Sequence, residues 1–278
     1  MYTSNGAWLR VGTLVLALTV VGAAAVANPV FYGVNNSNLV QLDLAAGTQT
    51  VIGPVGADAL ADVDFGGGNL IAMRMGYGSG FPPPPLHQTW QIDPATGAGT
   101  LLFDFGWTHY LTSLAYRPAD GSFYTVEQNN GYLGRLDPYT GTFNPVSGVP
   151  HGLGMYAVDA LAFAPDGTLY GMHNETSPFF GYVYDLVRFD LTTGLGSVIG
   201  SVDGGVGDYE SLRFDPGTGI AYTIEKQTGN ASRVSLTTGA GTVVWNGLAP
   251  GVTGLAYIPE PTALVLLGLG ITTLIRRR

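Results

Sequence analysis

The chain has 278 residues, a formal net charge of −9, 42 glycines, 17 prolines, no cysteine and only 11% charged residues. Taking away Arg10, Glu260 and the three terminal arginines leaves 7 basic against 19 acidic side chains, which makes nucleic acid and anionic lipid poor partners for the body of the protein. The lack of cysteine excludes disulfides, thiol catalysis and thiolate metal sites, and so much glycine and proline suits short strands and tight turns rather than helices.

At the N-terminus Arg10 precedes an apolar run from Val11 to Val21, and small residues lead into Ala25-Val26-Ala27. A basic start, a short apolar run and an A-x-A site mark a secretory signal peptide, so residues 1–27 are read as a leader cut after Ala27. Residues 28–258 remain, enough for one large all-β domain or two smaller ones.

That stretch repeats itself. One motif recurs as LDLAAGTQT, IDPATGAGT, LDPYTGTFN, FDLTTGLGS and VSLTTGAGT, which spaces Asp43, Asp93, Asp137, Asp190 and Ser235 by 50, 44, 53 and 45 residues. A second motif lies between: ADVDF from Ala61, TSLAY from Thr112, DALAF from Asp159, ESLRF from Glu210 and TGLAY from Thr253. A third comes after a tight turn in NLIAMR, SFYTVE, TLYGMH and IAYTIE, and stands without a predecessor in VFYGVN near the start. Each unit therefore reads as four strands, A (SLAY), B (FYTV), C (GRLD) and D (GSVIG). Periods of ~40–50 residues with four strands per unit are the signature of a β-propeller. The body begins with B, C and D and ends with a lone A around Leu255–Ile258, so the pieces complete one another: a five-bladed β-propeller closed by strands from both termini. The repeats resemble generic propeller repeats of the gluconolactonase or NHL kind, and that resemblance carries over no site residue.

The D-x-x-T-G element between C and D is read as a turn, with Asp accepting backbone N–H bonds and Gly at positive φ, rather than as a calcium loop. Asp120, Asp166 and Asp215 are read in the same way as hairpin residues between A and B. These turns lie on one face. The opposite face carries the longer B–C loops and the D-to-A crossings, with all four histidines, His87, His109, His151 and His173, the run Pro82–Pro85 beside Tyr77 and Phe81, and the aromatics Trp107, Tyr110, Tyr156, Tyr182, Tyr184 and Tyr209. Variable loops on a rigid scaffold are where binding resides, and stacked aromatics with Asp and Asn suit carbohydrate.

The end of B offers Asn35, Arg74, Glu127, His173 and Glu225, and the start of A offers Ala61, Thr112, Asp159, Glu210 and Thr253. Because A starts where B ends, Arg74, Glu127, Asp159, His173, Glu210 and Glu225 are expected around one mouth of the axis. Such a set could bind a polar ligand or a divalent cation, or carry acid–base hydrolysis. No cofactor and no resident metal are expected, because the sequence has no spaced ligand set and no G-x-S-x-G, H-E-x-x-H or P-loop.

The chain closes on Pro259-Glu260-Pro261, an uncharged run from Thr262 to Ile275, and Arg276, Arg277 and Arg278. As a helix that run spans only ~21 Å against a ~30 Å hydrocarbon core, and the arginines would hold its end in the cytoplasm. Residues 259–278 resemble the PEP-CTERM sorting signal of Gram-negative bacteria. The resemblance implies an exosortase-like processing enzyme as partner, transient residence in the inner membrane through the C-terminal helix, and delivery to the cell surface, outer membrane or extracellular matrix. The expectation is therefore an exported, non-catalytic binding or structural propeller of the cell envelope, with a polysaccharide or envelope protein as partner. The alternative is a polysaccharide hydrolase or lyase working through the acidic mouth.

Overall fold

The computed structural model describes residues 30–35, 37–44, 46–76, 87–153, 158–177, 181–202 and 207–259. The predicted leader, the Pro82–Pro85 loop, Tyr156 and the tail from Glu260 onward lie outside them. Twenty strands fill five four-stranded antiparallel sheets. Blade 1 holds β1 (Val30–Asn35), β2 (Asn38–Asp43) and β3 (Thr48–Pro54); blade 2 holds β4 (Leu60–Gly66), β5 (Asn69–Arg74), β6 (Gln88–Ile92) and β7 (Gly99–Asp104). Blade 3 is β8 (Ala115–Arg117), β9 (Ser122–Glu127), β10 (Tyr132–Leu136) and β11 (Phe143–Pro145). Blade 4 is β12 (Val158–Phe163), β13 (Leu169–Ser177), β14 (Gly181–Phe189) and β15 (Gly196–Ser201), and blade 5 is β16 (Arg213–Phe214), β17 (Ala221–Ile224), β18 (Ala231–Val234) and β19 (Gly241–Trp245). The last strand, β20 (Val252–Tyr257), pairs antiparallel with β1 and completes blade 1 from the other end of the chain. The expected ring closure is what the sheet order shows.

Burial grades outward. In blade 2 the innermost strand β4 and its neighbour β5 are mostly buried, whereas the outermost strand β7 has no buried residue. That gradient explains the sequence: inner strands, covered on both faces, read as continuous small or apolar runs, and the D strands carry the exposed Val51, Leu101, Val198 and Val243. Four of the five outer strands gain an extra residue against C, at Ile52, Leu102, Ile199 and Val244, and these bulges twist the sheet edge away from further pairing. Five apolar clusters fill the seams between neighbouring blades, including the closing seam between blades 5 and 1, where Ile224, Leu248, Leu255 and Phe31 pack together.

The C–D turns lock the rim. In each, Asp or Ser closes the loop: Asp93 Oδ1 accepts from Ala95 N at 2.8 Å, Asp93 O accepts from Gly97 N at 2.8 Å, and Asp93 N donates to Ala98 O at 2.9 Å. The glycine has positive φ in all five (Gly47, Gly97, Gly141, Gly194 and Gly239, 68–79°). It also has a second duty. A Cβ on Gly97 would strike Gly53, on Gly141 Phe103, on Gly194 Ser147, on Gly239 Gly200 and on Gly47 Trp245. Every turn glycine thus sits against the outer part of the preceding blade, and the 5-to-1 seam is closed in the same way as the others. Calcium is not needed to explain the motif.

Candidate functional site

Three inner strands carry a bulge against B at the start of A, leaving Ala61, Asp159 and Thr253 outside the register. A bulge re-aims its side chain. Thr253 Oγ1 donates to Leu60 O of blade 2 at 2.6 Å, and Thr112 Oγ1 in the equivalent place donates to Val158 O of blade 4 at 2.9 Å, so this position stitches one inner strand to the next. In blades 4 and 5 the same position holds Asp159 and Glu210, and here polar chemistry gathers. The Tyr184 hydroxyl, on a ring only 1% exposed, donates to Asp159 Oδ2 at 2.8 Å and lies 3.2 Å from Asp208 Oδ1. Asn174 Nδ2 approaches Asp159 Oδ2 at 3.3 Å, and Lys226 Nζ donates to both Glu210 oxygens at 2.8 Å. Burial holds the Asp159 carboxyl above its ordinary range against the hydrogen bonds of Tyr184 and Asn174. Burial likewise pushes Glu210 up to about 7, opposed by Lys226 and assisted by the charges of Asp208 and Asp159.

The other residues expected at this mouth have different work. Glu127 caps its own B–C loop: its carboxylate accepts from Asn129 N at 3.2 Å and Asn130 N at 2.9 Å, and Gly131 N donates to Glu127 O at 2.8 Å. Glu225 does the same with Gln227 N at 3.2 Å and Thr228 N at 2.6 Å, and Gly229 N donates to Glu225 O at 2.8 Å. These loops, E-x-x-N-G and E-x-x-T-G, repeat the D-x-x-T-G turn with one more methylene, as does Asp215 to Gly219 between A and B with the aspartate itself. Arg74 is held by the Asp58 carboxylate and by Gln88 Oε1 within blade 2. His173 is buried in β13, paired with Val158 across the Asp159 bulge. His151, also buried, is held down to about 4 by burial and then by the charge of His173, so its neutral Nδ1 accepts from Leu153 N at 3.1 Å. Of the aromatics expected on this face, Tyr184 and Tyr209 are buried, and Trp107, 71% exposed, stands in solvent. The structure therefore brings Asp159 and Glu210 into one cluster, joins Glu225 to it through Asp208 N, which donates to Glu225 Oε1 at 3.1 Å, and leaves Arg74 and Glu127 occupied with their own loops. Ala27, Glu260, Pro261 and Arg276–Arg278 lie outside the described residues; Pro259 is exposed.

The axis itself is plugged. Positions two and four of the A motif are buried and mostly small: Ser113, Ala160, Ser211 and Gly254 at position two, Ala115, Ala162 and Ala256 at position four. A Cβ on Gly254 would press within 2.6–2.9 Å of the Val63 and Asp62 backbone, so only glycine lets β20 approach β4. Three charged residues fill the remaining space. Arg213 Nη1 donates to Asp64 Oδ2 at 2.7 Å across from blade 5 to blade 2, and Arg213 Nε donates to Leu255 O of blade 1 at 2.7 Å. Asp64 Oδ2 also accepts from Tyr116 N of blade 3 at 2.7 Å, and Asp62 Oδ2 from Leu114 N at 2.8 Å. Burial raises both carboxyls above the ordinary range, Asp62 furthest, with Arg213 opposing the rise. Sequence reasoning misses this network, although charges at positions where other blades keep alanine are its signal.

Above the ion pair, on the A–B turn face, opens a cavity of about 280 Å³. Its walls are the fifth residue of every A motif, Phe65, Tyr116, Phe163, Phe214 and Tyr257, together with Pro118, Pro165 and Pro216 of the turns. Arg213 and Asp64 form its floor. The cavity thus lies at the opposite end of the axis from the face whose loops vary most. Among the described residues no group of three or more His, Asp or Glu is placed to hold a metal ion.

No protein-family description matches the chain, and no curated protein is similar enough to match. Solved structures do match. One is a protein of unknown function from Bacteroides thetaiotaomicron, at TM-score 0.52 and 15% identity over 84% of this chain. The chain spans 63% of that structure's length. Another is a chain of a nidogen/laminin complex, at TM-score 0.50 and 8% identity, covering 82% of this chain and 97% of that one. A looser likeness, at TM-score 0.47 and 10% identity, is to a candidate 6-phosphogluconolactonase from Bacteroides fragilis, over 85% of this chain and 99% of that one. The fold is a β-propeller. At these identities the likeness extends to the fold alone.

Proposed function

We propose that the protein is an exported, surface-sorted propeller that binds a ligand without transforming it, at the cell envelope or extracellular matrix. The observation that supports this most directly is the axial cavity: five aromatic side chains and three prolines surround a floor whose carboxylate and guanidinium are committed to each other and to backbone groups. Apolar walls with a fixed polar base recognise a ring-shaped partner such as a sugar or a prolyl peptide segment, and an acid locked in an ion pair makes a poor proton shuttle. Export and sorting rest on the leader-like residues 1–27 and the PEP-CTERM-like residues 259–278, with an exosortase-like enzyme as processing partner. The experiment is a glycan and peptide array probed with the purified domain, repeated with Tyr116→Ala. Binding lost in that variant supports the cavity; binding that survives unchanged places the ligand elsewhere.

A second reading, a polysaccharide hydrolase or lyase, draws on Glu210. Held up to about 7 beside Asp159, it has the protonation range of a general acid. Against it, the Lys226 ammonium sits on both Glu210 oxygens. Turnover of any polysaccharide or ester substrate that vanishes in Glu210→Gln and Asp159→Asn would replace the binding reading with this one.

A further inference from the structure

The axial cavity has a neighbour on the turn face. A second cavity, of about 420 Å³, opens in the seam between blades 2 and 3, and Tyr116 lines both. Blade 2 forms the low side between them. It pairs Phe65 with Leu70 across its A–B turn, whereas blades 3, 4 and 5 pair Tyr116 with Phe123, Phe163 with Leu169 and Phe214 with Ala221, so its turn is the shortest of the four. That turn has two glycines at positive φ, Gly67 and Gly68, and no proline, and the blade's share of the axial wall stops at Phe65. A Cβ on either glycine would meet nothing within 4 Å, while one on Gly66 would lie 2.2 Å from the Tyr116 ring. Glycine thus keeps the partition low and lets that ring lie across the strand.

The far wall of the seam carries a residue that breaks the repeat. The C–D turn position held by Ala45, Ala95, Thr192 and Thr237 in the other blades is Tyr139 in blade 3, and its side chain is 47% exposed. Blade 2 holds it there. Asn69 Nδ2 donates to the Tyr139 hydroxyl at 3.0 Å, Gln91 Nε2 donates to Asn69 Oδ1 at 2.9 Å, and Thr89 Oγ1 donates to Pro138 O at 2.6 Å. An exposed aromatic fixed by the neighbouring blade is preorganised for contact. The charges along this stretch already have partners: Asp120 takes Arg117 at 3.2 Å and Arg135 at 3.6 Å, and Asp137 accepts from Tyr139 N at 2.9 Å and Thr140 Oγ1 at 2.8 Å. A ligand is left the aromatic faces, the Tyr139 hydroxyl proton and the exposed Asn144 amide.

We propose that the seam between blades 2 and 3 is a second subsite, continuous with the axial cavity over Gly66–Gly68, and that the ligand spanning both is a neutral linear glycan. Sugar rings present apolar faces and hydroxyls in turn along a chain, which suits Tyr116 and Tyr139 in succession. Hydroxyls both donate and accept, so they answer both ends of the Asn144 amide, whereas a prolyl backbone has no N–H for its carbonyl oxygen. This rests on the binding function proposed above and names its ligand class.

The test is calorimetric titration of the full chain, held in a detergent without sugar headgroups. The probes are neutral gluco-, manno-, galacto- and N-acetylglucosamine oligomers from monosaccharide to hexasaccharide, with a uronic acid series and proline-rich peptides beside them. Three variants, each first required to melt like the parent, separate the subsites. Tyr139→Ala removes the outer platform, Gly67→Asn raises the partition with a residue that tolerates positive φ, and Pro165→Trp puts bulk on the exposed blade 4 rim of the axial cavity. For at least one neutral series the hexasaccharide should bind tighter than the disaccharide. Tyr139→Ala and Gly67→Asn should each weaken the hexasaccharide about tenfold and leave the disaccharide unchanged, and Pro165→Trp should weaken both. Affinity that does not grow with length, indifference to Tyr139→Ala, or preference for uronic acids or peptides would overturn the subsite and leave the axial binding function standing. Weakening by Tyr139→Ala without any by Pro165→Trp would sink the axial function and keep the seam. Absence of binding to every probe would overturn both.

Discussion

The two ends of the propeller axis are built from the same five strands and have opposite chemistry. At the crossing end, a bulge turns Asp159 toward Tyr184 and Asp208, Glu210 in the equivalent place of blade 5 binds Lys226, and polar groups answer polar groups within one seam, between blades 4 and 5. At the turn end, all five blades contribute an aromatic residue to one cavity, and the charges below it span the ring. Between its two ends the repeat spreads packing evenly and concentrates charge. An aromatic can recur in every blade because each has its own seam to fill, whereas one arginine and two aspartates exhaust the space on the axis.

Opening the ring should erase the distinction between the ends altogether. Deleting Thr253–Ile258 takes away the inner strand of blade 1, Gly254 at the axis and the Leu255 carbonyl that accepts from Arg213. Both ends should fail together, seen as loss of the cooperative melting transition; a truncated chain that melts like the parent would disprove closure. Next in size is Arg213→Met, which leaves Asp64 buried without its cation and should cost about 3–5 kcal/mol in urea unfolding. Adding Asp64→Leu to it should recover much of that loss, since the desolvated charge goes too.

How much of this is legible in the sequence depends on where each signal sits. Blade number, closure and the D-x-x-T-G turns are readable because the repeat writes them five times. Glu127 and Glu225 read as mouth residues although their own E-x-x-N-G and E-x-x-T-G loops announce a cap; the exchange of Asp for Glu hides the likeness. The Asp64–Arg213 pair escapes a reading along the chain, because the partners are 149 positions apart and meet only once the ring has closed. Tyr184 looks like a displayed aromatic, and only the placement of the Asp208 crossing shows it to be an interior hydroxyl.

Smaller perturbations separate the two ends more finely. Above its ordinary value, Glu210 keeps in the folded state a proton that the unfolded chain loses, between the usual 4.5 and about 7. Its contribution to stability is thus greatest below that window and falls as pH rises through it. Denaturant midpoints of the parent and Glu210→Gln should diverge by about 1–2 kcal/mol across the window, with the variant flatter; parallel curves would mean that Glu210 is not held up. Smaller again, Glu225→Ala should cost about 1 kcal/mol, as losing a loop cap does. It should leave array binding untouched, while a loss of binding would return Glu225 to the site. Trp107→Ala, on an exposed ring, should stay within about 0.5 kcal/mol of the parent.

The antiparallel pairing of β20 with β1 also has a mechanical side. A load applied to the chain beyond Pro259 runs along β20, parallel to the strand and across its hydrogen bonds to β1, where five residue pairs from Phe31–Tyr257 to Asn35–Val252 resist together. That is shear rather than unzipping, the geometry in which bonds must break at once instead of in turn. Tension on the tail would be met by the ring at a strand held on one side by β1 and on the other by the contact of Gly254 with β4.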